Sequence, residues 1–116
     1  MNHCKIIEDD QNLNKIKDDE LTLKISKLYK VLSDKNRTAI LYVLKNKNMC
    51  VHELMKYLGQ EQSLVSHQLK ILRDANIVRT SRRGNHVVYS LADDHVNILL
   101  DVAKEHVEEN KNEKTN

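Results

Sequence analysis

Apolar residues recur along this chain first at helical and then at strand spacing. Leu21, Ile25, Leu28, Tyr29 and Leu32 predict an amphipathic helix over 19–32, whereas residues 1–17 show little periodicity and read as a mobile or loosely helical arm. Ile40, Leu41 and Leu44 mark the inner face of a second helix, which Ser33 or Asp34 can cap. Asn46-Lys47-Asn48 reads as a turn. A short helix over 52–58 points Leu54 and Leu58 inward and leaves Gly59 at its C-terminal boundary. Leu64, Leu69 and Leu72, flanked by Val65 and Ile71, predict a helix over 62–75 that Asn76 can end. The period then shortens. Val78–Ser81 and Val87–Ser90 are strand-like, and Arg82-Arg83-Gly84-Asn85-His86 between them predicts a β-hairpin with a basic tip. Val96, Leu99, Val102, Ala103 and Val107 form one stripe of a last helix over 94–109, followed by a polar tail, 110–116, expected to fray.

This order predicts a mainly α fold with a small β-hairpin. Two short helices joined by a tight turn and followed by a hairpin describe a winged helix-turn-helix. The expected organisation is an arm over 1–18, one DNA-binding and dimerisation domain over 19–109, and the tail. The chain has 116 residues, no Pro, Trp or Phe and only two Gly, which disfavours long linkers and β-rich folds. No apolar run approaches the ~18 residues of a membrane span and the N-terminus is polar, so no membrane partner is expected and the cytoplasm is the expected location. The net charge of +2 says little, but its distribution says more. From Ser63 to Ser90 five cations (Lys70, Arg73, Arg79, Arg82, Arg83) face one anion, Asp74, while residues 1–20 are acidic. A basic middle between acidic ends predicts a localised anionic partner.

The helix over 62–75 carries the sharpest local chemistry. Gln62, Ser63, Ser66, His67 and Gln68 cluster in its first two turns. Hydroxyls there can reach phosphates or base edges, Gln can pair with adenine in the major groove, and a helix N-terminus favours phosphate. Arg82 and Arg83 at the hairpin tip would hold flanking backbone or minor groove. An ordinary polar face beside an ordinary turn is the alternative for each residue alone; helix, basic hairpin and local charge together favour double-stranded DNA.

Two pairs of metal-ligand types lie near the C-terminus: Asp93-x-His95 and His106-x-x-Glu109. His95 and His106 are eleven residues apart, close to three helical turns, so they share a face but stand ~16 Å apart along the axis. Zinc bonds to nitrogen or oxygen are only ~2.0–2.2 Å long, so one straight helix cannot wrap all four ligands around one ion. Two antiparallel copies across a two-fold axis can, which makes a metal and a homodimer a joint expectation. The nitrogen–oxygen donor set suits tetrahedral Zn(II), and Co(II) or Ni(II) could enter with altered geometry. The alternative is that Asp93 merely caps a helix and the rest is solvated surface. A second possible set joins Cys50 and His52 to His3 and Cys4 of the arm. It admits Zn(II) or Cd(II); otherwise Cys50 is a small buried hydrophobe and the arm a disordered tail. His86 reads as a surface or backbone-contacting residue.

The run Ser63-Leu64-Val65-Ser66-His67-Gln68-Leu69-Lys70-Ile71-Leu72, with Ile77-Val78, Arg83-Gly84, Tyr89-Ser90-Leu91 and Leu32-Ser33-Asp34-Lys35-Asn36-Arg37, resembles the ArsR/SmtB family of metal-responsive repressors over about residues 19–109. The resemblance implies a dimeric winged-helix repressor that binds an operator when metal-free and leaves it when metal binds. It implies contacts from Gln62, Ser63, Ser66 and His67 to DNA, and a hydrogen-bond route from the distal nitrogen of His106 towards the backbone after the reading helix. Family members that sense zinc are similar in all four terminal ligands. Relatives with Cys-x-Cys at the position of Cys50 and His52 resemble cadmium, lead or arsenic sensors, and His52 moves that preference back towards zinc. Glu61 departs from the family pattern, which often has a capping Ser or Thr there. The competing readings are a zinc-buffering or structural-zinc protein, a thiol-based redox repressor using Cys4 and Cys50, and a metalloenzyme; four closed ligands and little pocket argue against the last.

Overall fold

The computed structural model describes residues 10–115. Among them the elements run α1 (Gln11–Asp18), α2 (Glu20–Leu32), α3 (Lys35–Asn46), β1 (Met49–Cys50), α4 (Val51–Leu58), α5 (Gln62–Asp74), β2 (Val78–Arg83), β3 (His86–Leu91) and α6 (Asp94–Thr115). The chain divides into two units, the first ending at Lys30 and the second beginning at Val31.

In the first unit, part of the arm that reads as mobile or loosely helical forms a helix. Asp10 caps α1 by accepting the amides of Asn12 at 2.9 Å and Leu13 at 3.3 Å, and the Thr22 hydroxyl donates to Ile16 O at 2.7 Å. The apolar residues Leu13, Ile16, Leu21, Leu23, Ile25 and Tyr29 are exposed, so α2 has the predicted spacing but buries none of its residues within this chain.

The second unit contains the core. Ile40, Leu41 and Leu44 of α3 are buried with Leu54 of α4, Val65, Leu69 and Leu72 of α5, Ile77, and Val78 and Val88 of the sheet. Several helix ends follow from specific residues. Asp34 caps α3 by accepting Arg37 N at 3.0 Å. Gly59, at φ +64, takes the left-handed conformation that closes α4 without a Cβ penalty. Asn76 takes the same left-handed conformation after α5 at φ +59, which Asn tolerates better than most residues that carry a Cβ, with Ile77 N donating to Leu72 O at 2.9 Å. Glu61 makes no side-chain cap bond.

Three features differ from the sequence expectation. The hairpin is part of a three-stranded antiparallel sheet in the order β1-β3-β2, because Met49 and Cys50 pair with Tyr89 and Val88. The predicted five-residue tip is shorter. Pairing continues through Arg82↔Val87 and Arg83↔His86, leaving Gly84-Asn85 as the turn, with Gly84 at φ +60 permitting the tight reversal. The polar tail continues α6 to Thr115 instead of fraying at residue 110; its Glu and Lys are good helix formers and it has neither Gly nor Pro.

Candidate DNA-reading face and metal centre

Helix α5 sorts its residues by helical phase. Val65, Gln68, Leu69 and Leu72 lie on the buried side, and Gln62, Ser63, Ser66 and His67 are exposed on the other. The four exposed residues therefore stand on a face whose direction the core fixes. Gln68 corrects the sequence reading. It is only 6% exposed, and its Oε1 accepts Arg37 Nη1 at 2.9 Å. The same guanidinium donates from Nε to Val31 O at 2.7 Å. Gln68 thus joins the reading helix to α3 and is not placed to read a base. The signal was available: residues 65, 68, 69 and 72 are spaced i, i+3, i+4, i+7, the buried stripe of a helix.

Arg82 and Arg83 are exposed at the end of the β2–β3 ribbon, on strand residues and not on a flexible loop. On the exposed side of α5, Lys70 pairs with Asp74 at 3.1 Å, which leaves less free positive charge there than the sequence count suggests.

The terminal pairs stand as follows. Asp93 Oδ1 accepts Val96 N at 3.1 Å and so caps α6. The same oxygen lies 3.7 Å from His95 Nδ1. His95 is almost fully exposed, and His106 and Glu109 are exposed one helical turn apart. His106 Nε2 meets Asn110 Nδ2 at 3.3 Å, a contact within its own helix and not the route towards the backbone after α5 that the resemblance implies. Helix α6 is uninterrupted between the two pairs, so the ~16 Å separation holds within one chain. Among the described residues, no three His, Cys, Asp or Glu side chains gather closely enough to hold one ion. The donor types are ones zinc accepts, but within one chain the two pairs lie too far apart to share an ion.

The second candidate set is brought together in part. Cys50 sits at the N-cap of α4 and His52 in its first turn. His3 and Cys4 lie outside the described residues. A groove of about 460 Å³ between α4 and the sheet is lined by Cys50, His52, Glu53, Arg83 and His86. The sequence reading missed His86 here, because only the Cys50↔Val88 pairing reveals that the wing folds back over the start of α4. Glu53 Oε1 accepts Cys50 N at 3.1 Å. That bond, aided by one from the Cys50 thiol and by the charges of Lys47 and His86, holds the Glu53 carboxyl below its usual range.

Comparison with known proteins matches this architecture. The model of the bacterial regulatory protein arsR family matches residues 34–80, from the cap of α3 through the start of the wing. The HTH-type transcriptional regulator NmtR of Mycobacterium tuberculosis is 40% identical over 91 residues, covering 78% of this chain and 76% of that protein. The solution structure of apo-NmtR superposes with a TM-score of 0.66 at 35% identity, over 94% of this chain and 84% of that one. A cadmium resistance transcriptional regulatory protein CadC homolog from Staphylococcus aureus is 33% identical, covering 75% and 73% of the two chains. The homodimeric winged helix-turn-helix DNA-binding domain of a possible ArsR-family regulator from Mycobacterium bovis shares the fold, with a TM-score of 0.73 at 20% identity over 90% and 92%. These relatives are described as transcriptional regulators or their DNA-binding domains, not enzymes. No helix among the described residues is long and apolar enough to cross a membrane. With a matching family model, relatives of this identity and coverage, and a winged helix-turn-helix whose reading helix exposes Gln62, Ser63, Ser66 and His67, the chain belongs to the arsR family of bacterial transcriptional regulators.

Proposed function

We propose that this chain is a cytoplasmic repressor that binds double-stranded operator DNA as a homodimer when metal-free and is released when Zn(II) binds. Asp93 and His95 of one protomer and His106 and Glu109 of the partner subunit would hold the ion, twice per dimer. Gln62, Ser63, Ser66 and His67 would enter the major groove, with Arg82 and Arg83 on the flanking backbone. The observation that carries this reading is the placement of both ligand pairs, exposed, at separated points of one unbroken helix. A closed site then requires a second copy. Ile98, Val102 and Val107 are exposed on the same helix, which supports a helix-to-helix interface. Metal bridging two α6 helices favours one relative orientation of the halves, and it weakens DNA binding only as far as that orientation misplaces reading helices that must span grooves ~34 Å apart.

Cd(II), Co(II) or Pb(II) are alternative effectors. The thiol and imidazole of Cys50 and His52 in one groove support a second, softer site, completed by His3 and Cys4 of the arm. The test is Zn(II) titration of the protein on a duplex of its own upstream DNA, with binding followed by anisotropy. Release with loss of affinity supports the proposal. Unchanged affinity with zinc bound at the terminal helices rejects it. A chain that binds zinc but no DNA is a buffering or structural-zinc protein.

A further inference from the structure

Helix α6 is gripped by the core between its two candidate ligand pairs. Leu100 is its one buried hydrophobic residue among those described, at 5% exposure. At that point the Tyr42 hydroxyl donates to Leu100 O at 2.7 Å, and Lys45 Nζ lies 2.7 Å from Asp101 Oδ1. Both partners belong to α3. Leu100 is five residues after His95 and six before His106, so the grip lies about 8 Å along the axis from His95 and about 9 Å from His106. At the other end of α3, Arg37 holds Gln68 of the reading helix at 2.9 Å. Helix α3 thus contacts the metal-bearing helix through Tyr42 and Lys45 and the DNA-reading helix through Arg37, with Ile40, Leu41 and Leu44 buried between.

We propose that α3 is the rod that carries the position of α6 to α5, with Tyr42, Lys45 and Asp101 as the positioning residues that couple metal to DNA. This rests on the proposed function above. A helix reoriented at its ligand-bearing ends must either turn about this grip or take α3 with it. The grip combines a buried Leu, a hydrogen bond to a backbone carbonyl and a half-buried ion pair. It therefore resists sliding more than an exposed ion pair alone would. A shift of α3 reaches α5 directly, because Arg37 and Gln68 are already joined. The linkage lies within one chain and involves none of the candidate ligands or DNA-facing residues.

The experiment compares wild type with Tyr42→Phe/Lys45→Met and with the charge swap Lys45→Asp/Asp101→Lys. The same duplex is bound with and without Zn(II), and Zn(II) affinity is measured separately by chelator competition. Coupling between effector and ligand is typically 5–150-fold. The double variant is expected to bind metal-free duplex and Zn(II) within about twofold of wild type, while the zinc-induced loss of DNA affinity shrinks about fivefold or more. The charge swap is expected to restore part of that loss. A lower melting temperature with an unchanged zinc effect overturns the inference, since the contacts then only fasten α6. Should the double variant not fold, Asp101→Asn, which preserves side-chain shape, gives the same ratio. If wild type itself is not released by Zn(II), the proposed function falls and the inference falls with it; release of wild type with unaltered coupling in the variants sinks the inference alone.

Discussion

Helices α5 and α6 carry the two candidate functional faces, and they are built in opposite ways. Helix α5 buries Val65, Gln68, Leu69 and Leu72, so its exposed row points in a direction fixed by the core of a single chain. Helix α6, nearly twice as long, buries Leu100 and leaves Ile98, Val102 and Val107 exposed alongside all four candidate ligands. One face is fixed within the chain, and the other is half of the intersubunit site proposed above. A reader of DNA needs a rigid mount, whereas a sensor that changes the geometry of a dimer needs a surface whose partner lies outside its own chain.

The largest expected effects test that contrast through stability. Leu72→Ala, at a fully buried site, is expected to cost about 2–5 kcal/mol in urea unfolding, independent of protein concentration. Val102→Ala, at 56% exposure, should cost under about 0.5 kcal/mol at dilutions where the protein is monomeric, and more as concentration rises. A concentration-independent loss at Val102 would mean that the α6 face is covered within one chain.

Next come the ligands. His106→Ala should abolish release of DNA by Zn(II) while leaving metal-free DNA affinity within about twofold, a difference visible in paired anisotropy titrations; release comes to about 10–100-fold in affinity if the coupling is typical. Retained release would shift the sensor to the Cys50–His52 groove. A smaller effect is expected at the wing. Arg83→Ala should weaken binding to all sequences similarly and lower the slope of log affinity against log salt by about 1, the signature of one lost phosphate contact. The smallest effect concerns the attachment of α6. Burial raises the Tyr42 phenol above its ordinary value, with the Asp101 carboxylate adding to this and Lys45 opposing it. A group whose folded pKa is raised contributes stability that is complete below the unfolded value of 10.0 and is lost as pH rises through the folded one. Wild type should therefore lose slightly more stability than Tyr42→Phe between neutral pH and the alkaline range above 10, as followed by thermal melts.

Long periodic segments were legible in the chain. The helices from α2 to α5, the left-handed closures at Gly59 and Asn76, and both hairpin strands follow from spacing and from individual residues. What escaped was set by tertiary pairing. Strand β1 has only two residues, too few to show a period, and exists because β3 offers it an edge. His86 joins the groove of Cys50 and His52 through that same pairing. At Gln68 residue type and helical phase point in opposite directions. A Gln in a reading helix suggests a base contact, but its place on the i, i+3, i+4 stripe turns it towards Arg37. The terminal ligand spacing, by contrast, was informative in sequence because a continuous helix converts residue count directly into distance.

Asp93 caps α6, and in the proposed metal site it would carry a second duty that a single atom can separate. One carboxylate oxygen satisfies the amide of Val96 at the start of α6, and an Asn side chain would do this about equally well. An Asp93→Asn change would therefore spare the helix and the fold while removing an anionic ligand. Loss of a metal response at this position would then carry no cost in folding, because the cap at the start of α6 persists.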